Sequence, residues 1–442
     1  MRPSALTLKS LLVVAVILTL SLVSSIAAKK PPRSLTPADR LAVFEKAWKD
    51  VDEHYYDPKF SRVDWQQIHQ RYLPLVRQTK DDKSFYALLD RMTGELHDAH
   101  TRFSSPEQWE DRKKHEGVST GFRAGMIDGK VVVLEVYAGS NAERAGVRPG
   151  MLITALSGQP IGERLTEAAK EVLPSSTERI TQLRVLSNVF RAPLETPVDA
   201  TFQRADGSTF DAKFARQMRS TAAQVISART ASGFGYIRFD EFQRSLVREF
   251  MSALDQMRGA PGLILDLRWN HGGDGATLQA IADAFFARKT LFERRMSRKQ
   301  VGASEHGGRG TEETLAYVMT RGERAYTAPV VVLLSVYSAS ATEIFAAGMQ
   351  DAGRATIVGT PSCGCVLGIT HDRVMKGGGV LEISEVLWFS PKGRRLEGEG
   401  VVPDKIVAPT IASLQARKDV VLEEGEKTLR ELVAAKANAA TP

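Results

Sequence analysis

Two short apolar runs, 330–334 and 355–358, bracket a stretch with apolar positions at helical spacing. The first run, Val-Val-Val-Leu-Leu, has no polar alternation, as expected of a strand covered on both faces. Residues 341–351 carry the helical pattern, which stops at Gly353. A third run, 262–267, leads into a Gly-rich loop and a helical stretch over 276–287, so the region predicts an α/β domain built from βαβ units. Upstream, residues 38–92 have helical periodicity: Leu41, Phe44, Trp48 and Val51 share one face, and Phe85, Leu88 and Leu89 mark another helical stretch. The charged run 111–115 reads as a connector. From about residue 117 the period shortens, with a β-branched run at 130–136 and two strands, 198–202 and 209–214, around an Asp206-Gly207 hairpin signal. A long segment, 163–191, is inserted in this mostly-β unit and is expected to pack over the α/β core. Residues 411–436 predict a docking helix with Leu414, Val421, Leu422, Leu429 and Leu432 as its apolar stripe.

The chain of 442 residues, 43% hydrophobic, exceeds one compact domain. The patterns divide it into 1–28, a linker 29–37, a helical region 38–114, the mostly-β unit 115–218, the α/β core 219–410 and a C-terminal helix and tail 411–442. Arg2 and Lys9 precede an uncharged apolar stretch, 10–28, that ends in small residues before Lys29-Lys30. This predicts a cleaved secretory signal and an extracytoplasmic protein; retained, the stretch is long enough to act as an inner-membrane anchor and keep the protein near a membrane. Its removal takes off two positive charges and lowers the formal net charge from +7 to +5 (7 − 2). No Lys/Arg cluster interleaved with aromatics accompanies that mild basicity, which argues against a nucleic-acid partner. Two cysteines, Cys363 and Cys365, cannot supply a four-ligand zinc site. Either they are small side chains filling space, the preferred expectation, or they form a disulfide across Gly364.

Ser340 lies between the strand 330–334 and the helix 341–351. A serine there faces unpaired backbone N–H groups and the positive end of a helix dipole, a setting that stabilises an oxyanion. On this pattern alone an N-cap is the commoner role.

Several separated motifs add to the pattern. Residues 338–344 read Ser-Ala-Ser-Ala-Thr-Glu-Ile, 349–355 read Met-Gln-Asp-Ala-Gly-Arg-Ala, and 357–361 read Ile-Val-Gly-Thr-Pro. With 262–273 and 397–407, they resemble the C-terminal processing (tail-specific) serine protease family. The resemblance implies an α/β core of crotonase/ClpP-like βαβ units, Ser340 as nucleophile and no metal or organic cofactor. It departs at one position: the family's Gly-Lys-Gly turn is Gly364-Cys365-Val366 here, so the lysine base is missing. A branch of the superfamily resembling the tricorn core and the retinoid-binding protein repeats uses histidine and glutamate instead. Its Leu-x-Asp-x-His-Thr stretch matches 96–101, which places His100 as base, and its carboxylate three residues before Gly-Val-x-Pro-Asp corresponds to Glu397. The resemblance further implies oxyanion donors from the Gly272-Gly273 loop and Ala341, with Asp351 supporting the nucleophile helix. His271 is the rival histidine. Residues 115–218 resemble a PDZ domain, with Gly121 and Phe122 in the loop that would hold a peptide carboxylate. The implied function is a serine endopeptidase acting on polypeptides selected through their C-termini; the alternative is a non-catalytic relative that binds peptides or apolar ligands. Oligomeric state is not legible.

Overall fold

A computed structural model describes residues 34–60, 63–298, 311–319 and 321–439. The apolar stretch 10–28 and the linker as far as residue 33 lie outside the described residues.

The core is a six-stranded sheet in the order 225–229, 235–239, 263–266, 330–334, 356–359 and 405–406. Only its first pair is antiparallel; every other neighbour is parallel. Parallel strands need crossover connections that cover both faces, which explains the unbroken apolar runs. One face carries Val247–Gln256, Gly275–Asp283 and Ala341–Asp351, with Phe250, Ile281 and Phe345 packed over Leu265 and Val332. The other is covered by the C-terminal helix Val420–Ala439, whose Val421 and Leu429 close over Ile264, Val331 and Leu333. The single helix expected over 411–436 is two, Ile411–Gln415 and Val420–Ala439. Arg417 between them adopts φ 55°, outside the right-handed helical region.

Three helices, Pro37–His54, Trp65–Gln78 and Asp82–Gly94, form the N-terminal region around Phe44, Trp65, Phe85 and Leu89. The expected connector at 111–115 is largely the end of a helix, Pro106–Lys113. Ser105 and Gln108 form its capping box and proline stands in its first turn.

The mostly-β unit is an antiparallel sheet in the order 122–127, 130–136, 152–156, 198–203 and 209–214, with 159–160 paired beside 152–156. Its connections to the core run side by side as a two-stranded ribbon, Glu116–Ser119 with Gln217–Ser220. The long insert forms two helices, Ile161–Glu171 and Glu178–Phe190, and as expected it reaches the core. Thr177 Oγ1 donates to the Cys363 carbonyl (2.8 Å), and Arg179 donates to the Ser362 (3.1 Å) and Glu399 (2.9 Å) carbonyls.

Candidate active site

Ser340 has φ 56° and ψ −121°. A non-glycine residue there costs about 1–3 kcal/mol and persists only where its surroundings impose it. Here its N–H donates both to the Cys365 carbonyl (3.0 Å) and to Glu343 Oε2 (3.0 Å). The Glu343 carboxylate also accepts from Ser362 Oγ (2.6 Å), Gly364 N–H (2.7 Å) and Cys365 N–H (3.0 Å). Burial dominates even so and pushes its pKa up to about 7. The Glu343 amide bonds back to the Ser340 carbonyl (2.8 Å), so the first turn of the helix and the serine hold each other from both sides. Ser338, by contrast, is fully enclosed and braces the loop through Leu267 O and Ser335 N–H.

The Gly-rich loop lies against this turn. Gly272 has φ 101°, and a Cβ there would fall 2.7 Å from Ser340 Cβ and 3.0 Å from Ala341 N. The Gly272 N–H donates to Asn270 Oδ1 (2.9 Å). Among the described residues the N–H groups of Gly273 and Ala341 have no acceptor. Asn270, fully buried, ties the loop together: it donates to Phe239 O (3.0 Å) and accepts from Thr342 Oγ1 (2.7 Å). The sequence held no signal for that role beyond its place beside the glycines.

His100 follows a tight turn organised by Asp98, whose buried carboxylate accepts from the N–H groups of His100 (2.7 Å) and Thr101 (2.6 Å) and from Thr101 Oγ1 (2.8 Å) and Ser384 Oγ (3.1 Å). The His100 residue keeps some solvent contact, but its Nδ1 is enclosed and has no hydrogen-bond partner. Burial lowers its pKa to about 4, against the opposing pull of Asp98. Glu397, 1% exposed, accepts the Val366 N–H (2.7 Å) through Oε2 and has no partner on Oε1. Burial raises it to about 7; the Ser176 hydroxyl and the Val366 N–H favour its charged form, and the charges of Asp98 and Glu343 oppose it.

The three predicted residues are therefore drawn together through intermediaries. Ser340 bonds to Cys365, the next residue bonds to Glu397, and Ser176 faces Glu397 while its Oγ accepts the N–H of Ala99, next to His100 (3.0 Å). No direct hydrogen bond joins Ser340 Oγ, His100 and Glu397 among the described residues; such contacts often close only around substrate.

Cys363 and Cys365, both buried, form a disulfide, not the separate filler thiols preferred from sequence. They stand where a lysine base is absent. Asp351 accepts from Arg394 Nη2 (2.5 Å) and Lys392 N–H (2.9 Å), clamping a turn to the end of the helix Ala341–Asp351. Arg268 pairs with Asp266 (2.6 Å) and Asp419 (2.7 Å).

A cleft of about 1380 Å³ runs from the open edge of strand 122–127 and the helix Glu178–Phe190 to Tyr337, Ala339 and Cys363. His271 is exposed on its wall and Phe122 contributes to its apolar floor. The Gly121 N–H is occupied by Ser119 Oγ (3.0 Å).

The description "Peptidase family S41" matches residues 233–407 and "Tricorn protease C1 domain" matches residues 36–94. A carboxyl-terminal-processing protease of Synechocystis sp. is 28% identical over 390 residues, covering 86% of this chain and 84% of that protein. A carboxy-terminal-processing protease of Bartonella bacilliformis is 26% identical over 341 residues, covering 74% and 71%. Among solved structures, the photosystem II D1 C-terminal processing protease superposes with a TM-score of 0.57 at 21% identity, over 85% of this chain and 94% of that one. Mature CPAF superposes at 0.66 and 14%, over 92% and 99%. These last two likenesses are of fold. With the serine-bearing core 233–407 matching peptidase family S41 and related proteases along most of its length, the chain is a serine-type peptidase.

Proposed function

We propose that the protein is an extracytoplasmic endopeptidase that cleaves polypeptides through an acyl-enzyme at Ser340, with His100 as general base and Glu397 as its carboxylate partner. The observation that carries this reading is the Ser340 turn: a left-handed serine at a helix N-terminus, beside the unengaged N–H groups of Gly273 and Ala341. Ser340 Oγ would attack the scissile carbonyl carbon as His100 takes its proton. The tetrahedral oxygen would be held by the Gly273 and Ala341 amides. On collapse the C–N bond breaks and His100 returns the proton to the leaving amine; water, activated by the same imidazole, then releases the acyl group.

The mostly-β unit is proposed as a PDZ-like module. Its exposed edge strand 122–127 faces the helix Glu178–Phe190 across a cleft, a geometry suited to adding a peptide's C-terminal strand. The location is proposed from the N-terminal apolar stretch alone.

Labelling with a fluorophosphonate probe tests the reading. Wild type should label, Ser340→Ala and His100→Ala should not, and Lys376→Ala should label normally, since Lys376 is paired with Asp39 of the N-terminal helix (2.5 Å). Absence of labelling in wild type, or full labelling of His100→Ala, would overturn it.

A further inference from the structure

The chain's two cysteines stand in the turn 362–366, and that turn is bonded to the nucleophile, to Glu343 and to the proposed carboxylate. The Cys365 carbonyl accepts the Ser340 N–H (3.0 Å), and the Gly364 and Cys365 amides donate to Glu343 (2.7 and 3.0 Å). The Val366 amide donates to Glu397 Oε2 (2.7 Å). At the other end the Cys363 amide donates to the Ser338 carbonyl (2.9 Å), two residues before the nucleophile. No helix or strand includes these residues, which lie between the strands Thr356–Gly359 and Leu367–Gly368. Gly364 in the middle has φ 74°, and a glycine gives a turn wide conformational freedom. The Cys363–Cys365 bond closes the turn on either side of that glycine, and both cysteines are buried. It therefore restrains the same carbonyl and amides that hold Ser340, Glu343 and Glu397. Ser340 keeps its left-handed φ of 56° only while its surroundings impose it, and both acceptors of its N–H, Cys365 O and Glu343 Oε2, are ordered by this turn.

We infer that the Cys363–Cys365 disulfide is a positioning element for Ser340, and that a small dithiol which opens it disables the nucleophile. The inference rests on Ser340 as nucleophile, as proposed above. The bonded sulfurs carry no proton and take no part in acyl transfer; they fix the turn. Cys363 lines the cleft, so exchange begins at its sulfur. A thiolate of the dithiol attacks there, the S–S bond breaks, and Cys365 leaves as a thiolate that takes up a proton. The reagent's second thiol then attacks the mixed disulfide, which releases Cys363 as a thiol and the reagent as its own disulfide. Two electrons pass from the dithiol to the protein. With the bond gone Gly364 regains its freedom, and the Ser340 turn loses the fixed partners that held it.

The test compares the full chain oxidised, reduced with dithiothreitol and reoxidised with glutathione disulfide, beside a Cys363→Ser/Cys365→Ser double variant. Alkylation and mass measurement count the open thiols, urea unfolding reports stability, and the rate of fluorophosphonate labelling reports the nucleophile. Misplacing a reacting group by about 1 Å costs about 10²-fold, so reduction should slow labelling roughly 100-fold and reoxidation should restore it. The double variant should label as slowly as the reduced protein and ignore dithiothreitol. A purely structural disulfide would move the urea midpoint and leave the labelling rate of the folded protein unchanged. Wild-type labelling in protein whose thiols are shown to be open, or in the double variant, overturns the inference. If the bond resists dithiothreitol, the double variant decides. If that variant fails to fold, Cys363→Ser alone must label slowly, and a wild-type rate in it overturns the inference equally. No labelling of the oxidised wild type, or undiminished labelling of Ser340→Ala, would instead sink the reading of Ser340 itself, so the two failures are distinguishable.

Discussion

Gly272→Ala is the sharpest perturbation of the proposed oxyanion site. The new Cβ would stand 2.7 Å from Ser340 Cβ, 2.8 Å from Ala339 O and 3.0 Å from Ala341 N, all within one loop contact. Carbon atoms in van der Waals contact sit at about 3.5–4.0 Å, so the loop must move by about 1 Å or the nucleophile turn must yield. The φ of 101° adds a conformational penalty for any residue with a Cβ. Overpacking costs about 1–3 kcal/mol, and the strained φ about as much again. Displacing the next residue, Gly273, moves a proposed donor off the oxyanion position, and losing one such donor costs about 10²–10³ in rate. Hydrolysis of a peptide substrate and the labelling rate at Ser340 should therefore fall at least 100-fold, with urea unfolding moved to lower denaturant. Gly275→Ala is the control, because a Cβ there meets nothing within 4 Å; its stability should be unchanged or slightly raised. Wild-type rates with unchanged stability in Gly272→Ala would refute the close packing of loop and nucleophile on which the site depends.

Three further outcomes follow from the same geometry. On the proposed mechanism activity requires Glu397 ionised and His100 neutral; burial lifts the first to about 7 and lowers the second to about 4, so kcat/KM should rise through about pH 7. Glu343 is raised from 4.5 to about 7, so its favourable contribution to folding is complete below 4.5 and is lost as pH rises through 7; the urea midpoint of wild type should accordingly fall further between about pH 5 and about pH 8 than that of Glu343→Gln. Arg268→Ala would leave Asp266 buried without its cation, which should cost about 3 kcal/mol in equilibrium unfolding.

The α/β core was legible because its parallel strands are covered on both faces. The run 330–334 and the helix Ala341–Asp351 match expectation to the residue, and the neighbouring strand is shifted by one, to Thr356–Gly359. The site's residue types were legible as separated motifs, yet their mutual placement was not. Ser176 meets Ala99 across 77 positions and Arg179 meets Ser362 across 183, contacts that carry no local periodicity. The bond from the Gly272 N–H to Asn270 Oδ1 was likewise illegible, because it depends on a side-chain orientation that only the folded loop fixes. The helix Pro106–Lys113 has no buried residue, so it left no apolar stripe to read; its Ser105-Pro106-x-Gln108 start was the available signal.

The central claim is that histidine, not lysine, activates Ser340. The crystal structure of the fluorophosphonate adduct tests it most directly. The account predicts phosphorus bonded to Ser340 Oγ, its oxygen within about 3 Å of the Gly273 and Ala341 amides, and His100 as the nearest base, with Glu397 behind it. An adduct on another residue, or one whose nearest base is His271 or a lysine, would contradict it.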